Sequence, residues 1–179
     1  MPVLQPKSGH FGLILPLCTS SATVGLALYQ YPVFLSFIQA QPSIAGKSLS
    51  RFWSTHLKPG VGLISAIAVT SSISGVISAR WLKTHGVLET TDVSSWYTYG
   101  AVLAGAHLLF WPLVMGPINK MVDVGSDDLA KAKDERDVEK VNREEMSKWL
   151  MWHTVRTVLV DLPALACFAE GAALSFWVV

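Results

Sequence analysis

The chain has 179 residues, room for one domain, and 51% of them are hydrophobic while only 15% are charged, against roughly 25% in an average soluble domain. Mean hydropathy is +0.40 and the formal net charge is +1. Residues 120–148 hold seven of the 14 Lys/Arg and nine of the 13 Asp/Glu, so the remainder is almost uncharged. That excludes a disordered chain, a basic nucleic-acid binder and an ordinary soluble globule, and it predicts an integral membrane protein.

Four stretches in chain order are long and apolar enough to cross a bilayer core of about 30 Å. The first covers about residues 11–38. It is too long for the apolar part of a cleaved signal peptide and is followed by no small-residue cleavage site. The second covers about 59–79 and contains no charge. The third covers about 96–118 and the fourth about 149–177, the latter with Arg156, Asp161 and Glu170 inside it. Aromatic residues sit near the proposed ends, among them Trp53, Trp81, Trp96 and Trp149, as in an interfacial belt. Small residues four apart (Ser71 and Gly75, Gly100 and Ala104, Ala101 and Gly105) allow close helix approach. The prediction is an all-α, single-domain four-helix membrane bundle over 1–179, with a long polar, partly helical loop (119–148) between the third and fourth spans.

The loops at 39–58 and 119–148 share a side and hold ten Lys/Arg, against Lys7, Arg80 and Lys83 on the other. The positive-inside rule puts those loops in the cytoplasm and the termini outside it, in an endoplasmic reticulum or other endomembrane. Within the polar loop the composition after Ser126 favours helix, with Ser126 as its cap. Cys18 and Cys167 lie in apolar stretches and are expected inside, as small hydrophobes.

Ionisable residues inside a span are costly and turn toward the bundle interior or a wet cavity. Trp149, His153 and Arg156 follow at i, i+4 and i+7 and share one helical face. Glu170, fourteen residues past Arg156, is expected to return near that face. Asp161 points elsewhere, toward a neighbouring helix or a kink at Pro163. His107 and Trp111 lie in the third span, and Asn119 near its end is positioned to meet His153 and Arg156. Trp53 and His56, just before the second span, complete a candidate polar pocket drawn from three parts of the chain. The three histidines His56, His107 and His153, with Glu170, have no helical metal-ligand spacing, and no metal site is expected.

Pro117-Ile118-Asn119-Lys120 closing a span, a long polar loop, then Trp149-x-x-x-His153-x-x-Arg156 opening the last span, with Trp53 and Gly60 upstream, resembles the anthrone oxygenase family, small four-span membrane proteins of polyketide and secondary-metabolite pathways. Two positions depart from the family pattern: Leu57 and Lys120. The resemblance implies oxidation of an anthrone-like polyketide to a quinone by dioxygen with no cofactor. It casts His153 as base, Arg156 and Asn119 as stabilisers of the enolate, and Trp149, Trp152, Trp111, His107, Trp53 and His56 as the substrate-binding walls. The implied partners are an apolar small molecule and membrane lipid, with no nucleic acid and a homo-oligomer as an option. A cofactor-free cyclase, pericyclase or isomerase on the same pocket is the alternative, and a non-catalytic membrane scaffold the second.

Overall fold

The computed structural model describes residues 10–85, 93–125 and 134–177. Apart from the 40–46 connection and single end residues, the described residues are helical, without strands. Helix α1 spans His10–Gln39 and α2 spans Lys47–His85. Then come α3 (Val93–Ala106), a 3₁₀ turn (His107–Phe110) and α4 (Trp111–Val124). Helix α5 (Glu135–Arg156), a π turn (Thr157–Asp161) and α6 (Leu162–Trp177) follow. Four continuous helical stretches, Gly12–Gln39, Lys47–His85, Val93–Val124 and Glu135–Ser175, are long and apolar enough to cross a membrane. Their outward side chains include Leu28, Leu63, Ile73, Ile77, Val102, Leu109 and Leu159, all more than half exposed, as lipid-facing positions require.

The helices are longer than the apolar spans. Residues 47–58 and 135–148 carry charges but no Gly or Pro, so nothing in them stops a helix that hydropathy alone would end. Helix α2 runs through Pro59, and α5 carries Glu135 and Asp137 in its first turn, where acidic groups suit the positive helix end. The expected Ser126 cap lies outside the described residues. Cys18 is exposed and Cys167 half-buried: a span surrounded by lipid gains nothing by turning a thiol inward.

Two irregular turns have a shared cause. Proline lacks the N–H that would bond the carbonyl four residues back, and its ring clashes with it. Pro112 follows the 3₁₀ turn His107–Phe110 and Pro163 follows the π turn Thr157–Asp161. The π turn also adds a residue to the helix, about 100° of phase. Glu170 is exposed while Arg156 is buried, so the regular helical wheel does not carry across this stretch.

The chain forms two compact units. One comprises Met1–Gly25, Ser65–Leu108 and Thr157–Val179, the other Leu26–Ile64 and Leu109–Arg156. In the first, α3 packs along α6. The buried Phe168 ring fills the space left by Gly75 and Gly100, where an added Cβ would come within 2.7 Å of its Cε1 atom. Hydroxyls tie the helices together: Tyr97 donates to the Leu13 carbonyl (3.0 Å), Ser72 to the Ala101 carbonyl (2.9 Å) and Ser78 to the Gly12 carbonyl (3.2 Å).

In the second unit α4 packs along α5. The fully buried Asn142 amide nitrogen lies 2.8 Å from the carbonyls of both Ala45 and Gly46 and 3.0 Å from Ser50 Oγ, pinning the α1–α2 connection. Arg143 donates to the Ile38 carbonyl at the end of α1, to Ser43 Oγ (2.8 Å) and to Glu139 (2.8 Å), satisfying a helix end that would otherwise lack partners.

Candidate functional site

The second unit is organised around rings. Phe34 of α1 stacks on Trp53 of α2 (centroids 4.7 Å apart, 2° between planes) and meets Trp149 of α5 edge-on at 4.7 Å. Trp149 in turn stacks on His153 (4.7 Å, 9°), and Tyr31 lies 5.1 Å from the same imidazole. The predicted face of Trp149, His153 and Arg156 therefore exists. It is buried, with His153 at 0% exposure.

Both His153 nitrogens are engaged. Nε2–H donates to the Ala27 carbonyl at 3.0 Å, which leaves Nδ1 of the neutral ring as acceptor for Arg156 Nη2 at 2.9 Å. The pair braces the aromatic cluster from behind. In this arrangement neither nitrogen is open to a substrate. Within the cluster the Trp53 indole N–H is buried with no hydrogen-bond partner.

A cavity of about 440 Å³ opens between α1 and α2 on the other side of Phe34, within the size range of small-molecule sites. Its apolar wall includes Phe34, Phe52, Val33 and Leu63, and its polar groups are Tyr29, Gln30 and His56. His56 is held by its own helix. Phe52, one turn before it, stacks on the imidazole at 5.1 Å and 18°. Gly60, one turn after it, makes room for the ring: a Cβ there would lie 3.1 Å from both His56 Cδ2 and Nε2. The result is an exposed imidazole clamped along a ligand-sized groove.

The first unit holds a different polar site. His107 Nδ1 and Asp161 Oδ1 are 2.8 Å apart, at 5% and 2% exposure. Each sits in one of the irregular turns ahead of a proline. Ser20, Thr23 and Ser71 share a small cavity of about 10 Å³ with the pair, room for one water-sized sphere and not for a ring system. Asp161 is the partner that reading by residue type did not assign; an acid inside an apolar stretch beside Pro163 was its signal.

The predicted residues thus divide. Trp53, Trp149, His153 and Arg156 come together in one packed cluster, and His56 lines the groove. His107 belongs to the other unit. Asn119 is exposed. Helix α4 continues to Val124 and turns Pro117, Ile118, Met121 and Val124 inward, which points Asn119 and Lys120 outward. Trp111 is 41% exposed and Trp152 half-buried. Among the described residues no three His, Cys, Asp or Glu side chains converge as a metal site.

An all-helical membrane protein with a ring-lined groove and a positioned imidazole is the class that fold and site define. The chain belongs to the anthrone oxygenase family, whose model matches residues 52–167. Its relatives include a "Probable epoxidase scpX" of Mollisia scopiformis, 27% identical over 162 residues, covering 89% of this chain and 92% of that one. "Epoxidase gkaX" of Penicillium citrinum is 26% identical over 164 residues, with 89% and 91% covered. "Epoxidase pydX" of an Acremonium species is 25% identical over 163 residues, with 89% and 90% covered. No solved structure matches. Family and relatives together make this a member of a membrane oxygenase and epoxidase family of secondary metabolism.

Proposed function

We propose that the protein oxidises an apolar, enolisable small molecule, an anthrone-like polyketide, with dioxygen and without a metal or organic cofactor. The observation that carries the reading is His56, an imidazole clamped between Phe52 and Gly60 on a groove of about 440 Å³ in a chain of this family.

The chemistry asks little of the protein. Removal of an acidic methylene proton gives a carbanion that reduces dioxygen itself. The methylene becomes a carbonyl, one oxygen atom stays in the product and the other leaves as water, so atoms and electrons balance without a reductant. An imidazole is the side chain best matched to that proton transfer near neutral pH. His56 takes this role, and the Gln30 amide and Tyr29 hydroxyl on the facing wall are the donors for the enolate oxygen. Trp149, His153 and Arg156 act behind the groove, holding Phe34 through the ring contacts described above.

The relatives' names favour a second reading, epoxidation of an alkene in the same groove. That reaction consumes two further electrons and so calls for a two-electron reductant.

The test uses membranes containing the protein, an anthrone and air, with product mass as readout against empty membranes. A quinone is one oxygen heavier and two hydrogens lighter than the substrate, an epoxide one oxygen heavier, and a cyclised product equal in mass. His56→Ala is expected to lower quinone formation about 100-fold or more. Full turnover by His56→Ala, with loss confined to His153 and Arg156 variants, would move the base role to His153.

A further inference from the structure

A second depression, of about 650 Å³, lies along α2, and Phe52, His56 and Pro59 line both it and the groove. Together they flank a stretch of α2 from Lys47 to Ile64. Its ends differ in chemistry. The Ile64 end is apolar. The Lys47 end carries two cations, Lys47 and Arg51, beside the Ser48 hydroxyl and the Phe37 ring.

The cations are not equivalent. Lys47 Nζ lies 4.0 Å from Glu135 Oε2, and the Lys47 backbone N–H donates to Glu135 Oε1 at 2.9 Å, so Lys47 has an acidic neighbour that Arg51, among the described residues, lacks, though an exposed pair of this kind offsets little charge. Thr55 also lines this end, but its hydroxyl donates to the Arg51 carbonyl at 3.0 Å. Arg51 and Ser48 line this end beside Lys47 and His56, and the Arg51 guanidinium carries a charge suited to an anion. A guanidinium fork matches a carboxylate in geometry as well as charge.

We infer that the substrate of this groove is an amphiphilic acid, with its flat apolar body along Phe34 and Phe52 under His56 and its carboxylate on Arg51 and Ser48. The inference rests on the reading of the groove as the substrate site and adds the chemical class of what enters it. Arg51 and His56 line the same depression, so an acid anchored at Arg51 lies beside the imidazole. The anchor fixes which carbon lies under the imidazole. The apolar section, about 440 Å³, has the volume of a drug-sized ligand site.

Binding tests this without turnover. The full-length protein in phosphatidylcholine nanodiscs is titrated with anthracene-2-carboxylic acid and with its methyl ester, each corrected with empty discs of the same lipid. The acid is expected to bind about tenfold tighter or better, the worth of a charged hydrogen bond. Arg51→Gln should bring the acid to the affinity of the ester and leave the ester unchanged. Equal binding of acid and ester by the unmodified protein overturns the inference and leaves the groove as a substrate site. Loss of the acid preference in phosphatidylglycerol discs assigns Arg51 to lipid and also overturns it. Failure of both probes to bind removes the groove reading itself.

Discussion

With His56 proposed as the base, Gly60→Ala is expected to separate catalysis from stability. The added methyl carbon would stand 3.1 Å from His56 Cδ2 and Nε2 and 3.9 Å from Cε1. Those distances are tight, so the imidazole has to give by a few tenths of an ångström. It cannot slide along the helix, because Phe52 is stacked on its other side at 5.1 Å. The open movement is a rotation out of the groove, at about 0.5–1.5 kcal/mol for an off-rotamer side chain. Against this, replacing glycine by alanine inside a helix gains about 1 kcal/mol. The two offset one another, and net stability should stay within about 1 kcal/mol of the parent. Turnover should not: turning the ring out of the groove swings its nitrogens by about 1 Å, and a displacement of that order lowers rates on the order of 10- to 100-fold. Thermal unfolding in detergent and product formation in membranes, normalised to protein amount, measure the two sides. The double variant His56→Ala/Gly60→Ala should be no slower than His56→Ala alone, since both changes act on one ring. Undiminished turnover by Gly60→Ala, or a stability loss above about 2 kcal/mol, would refute the view of Gly60 as a cradle for the imidazole.

Three further substitutions probe the scaffold, each read by unfolding in detergent. Asp161→Ala leaves His107 inside the bundle without its 2.8 Å partner and should destabilise by about 2–4 kcal/mol; Asp161→Asn, which keeps a side-chain oxygen, should cost less. Asn142→Ala removes the bonds to Ala45, Gly46 and Ser50; a loss of about 2–3 kcal/mol should come with faster proteolysis between residues 40 and 46. Gly100→Ala drives a methyl group to 2.7 Å from the ring of the fully buried Phe168 and should cost about 1–3 kcal/mol by overpacking, whereas Gly12→Ala, where nothing lies within 4 Å, should cost nothing and gain up to about 1 kcal/mol.

How much of this was legible in the sequence depends on which physical rule governs each part. The spans were legible because a bilayer sets a length and a composition, and 59–79 meets both with no charge. The helix over 135–148 was legible too, because the composition after Ser126 favours helix; the extension of α2 over 47–58 was not, because hydropathy reports the lipid and not the hydrogen-bond ladder. Helical phase was reliable where the helix is regular. Trp149, His153 and Arg156 do share a face, and the stack and the 2.9 Å bond follow from it. Phase failed across 157–161, where the π turn ahead of Pro163 shifts every later residue; Glu170 turned outward for that reason.

His56 shows the limit most clearly. Phe52, His56 and Gly60 stand at i, i+4 and i+8, so a ring, an imidazole and a gap on one helical stripe could be read directly. What that pattern does not contain is the opposite wall. A histidine becomes a candidate base through what faces it, and Tyr29, Gln30 and Val33 come from α1. His153 carries the converse lesson. Its sequence context, between Trp149 and Arg156, is the richer one, and for that reason the fold has used it up: the indole takes one face of the ring and the Ala27 carbonyl and Arg156 take both nitrogens. A polar group well supplied with partners in sequence is apt to be satisfied in structure. On the proposed reading, the imidazole with an open side, His56 on its groove, is the one that meets the substrate.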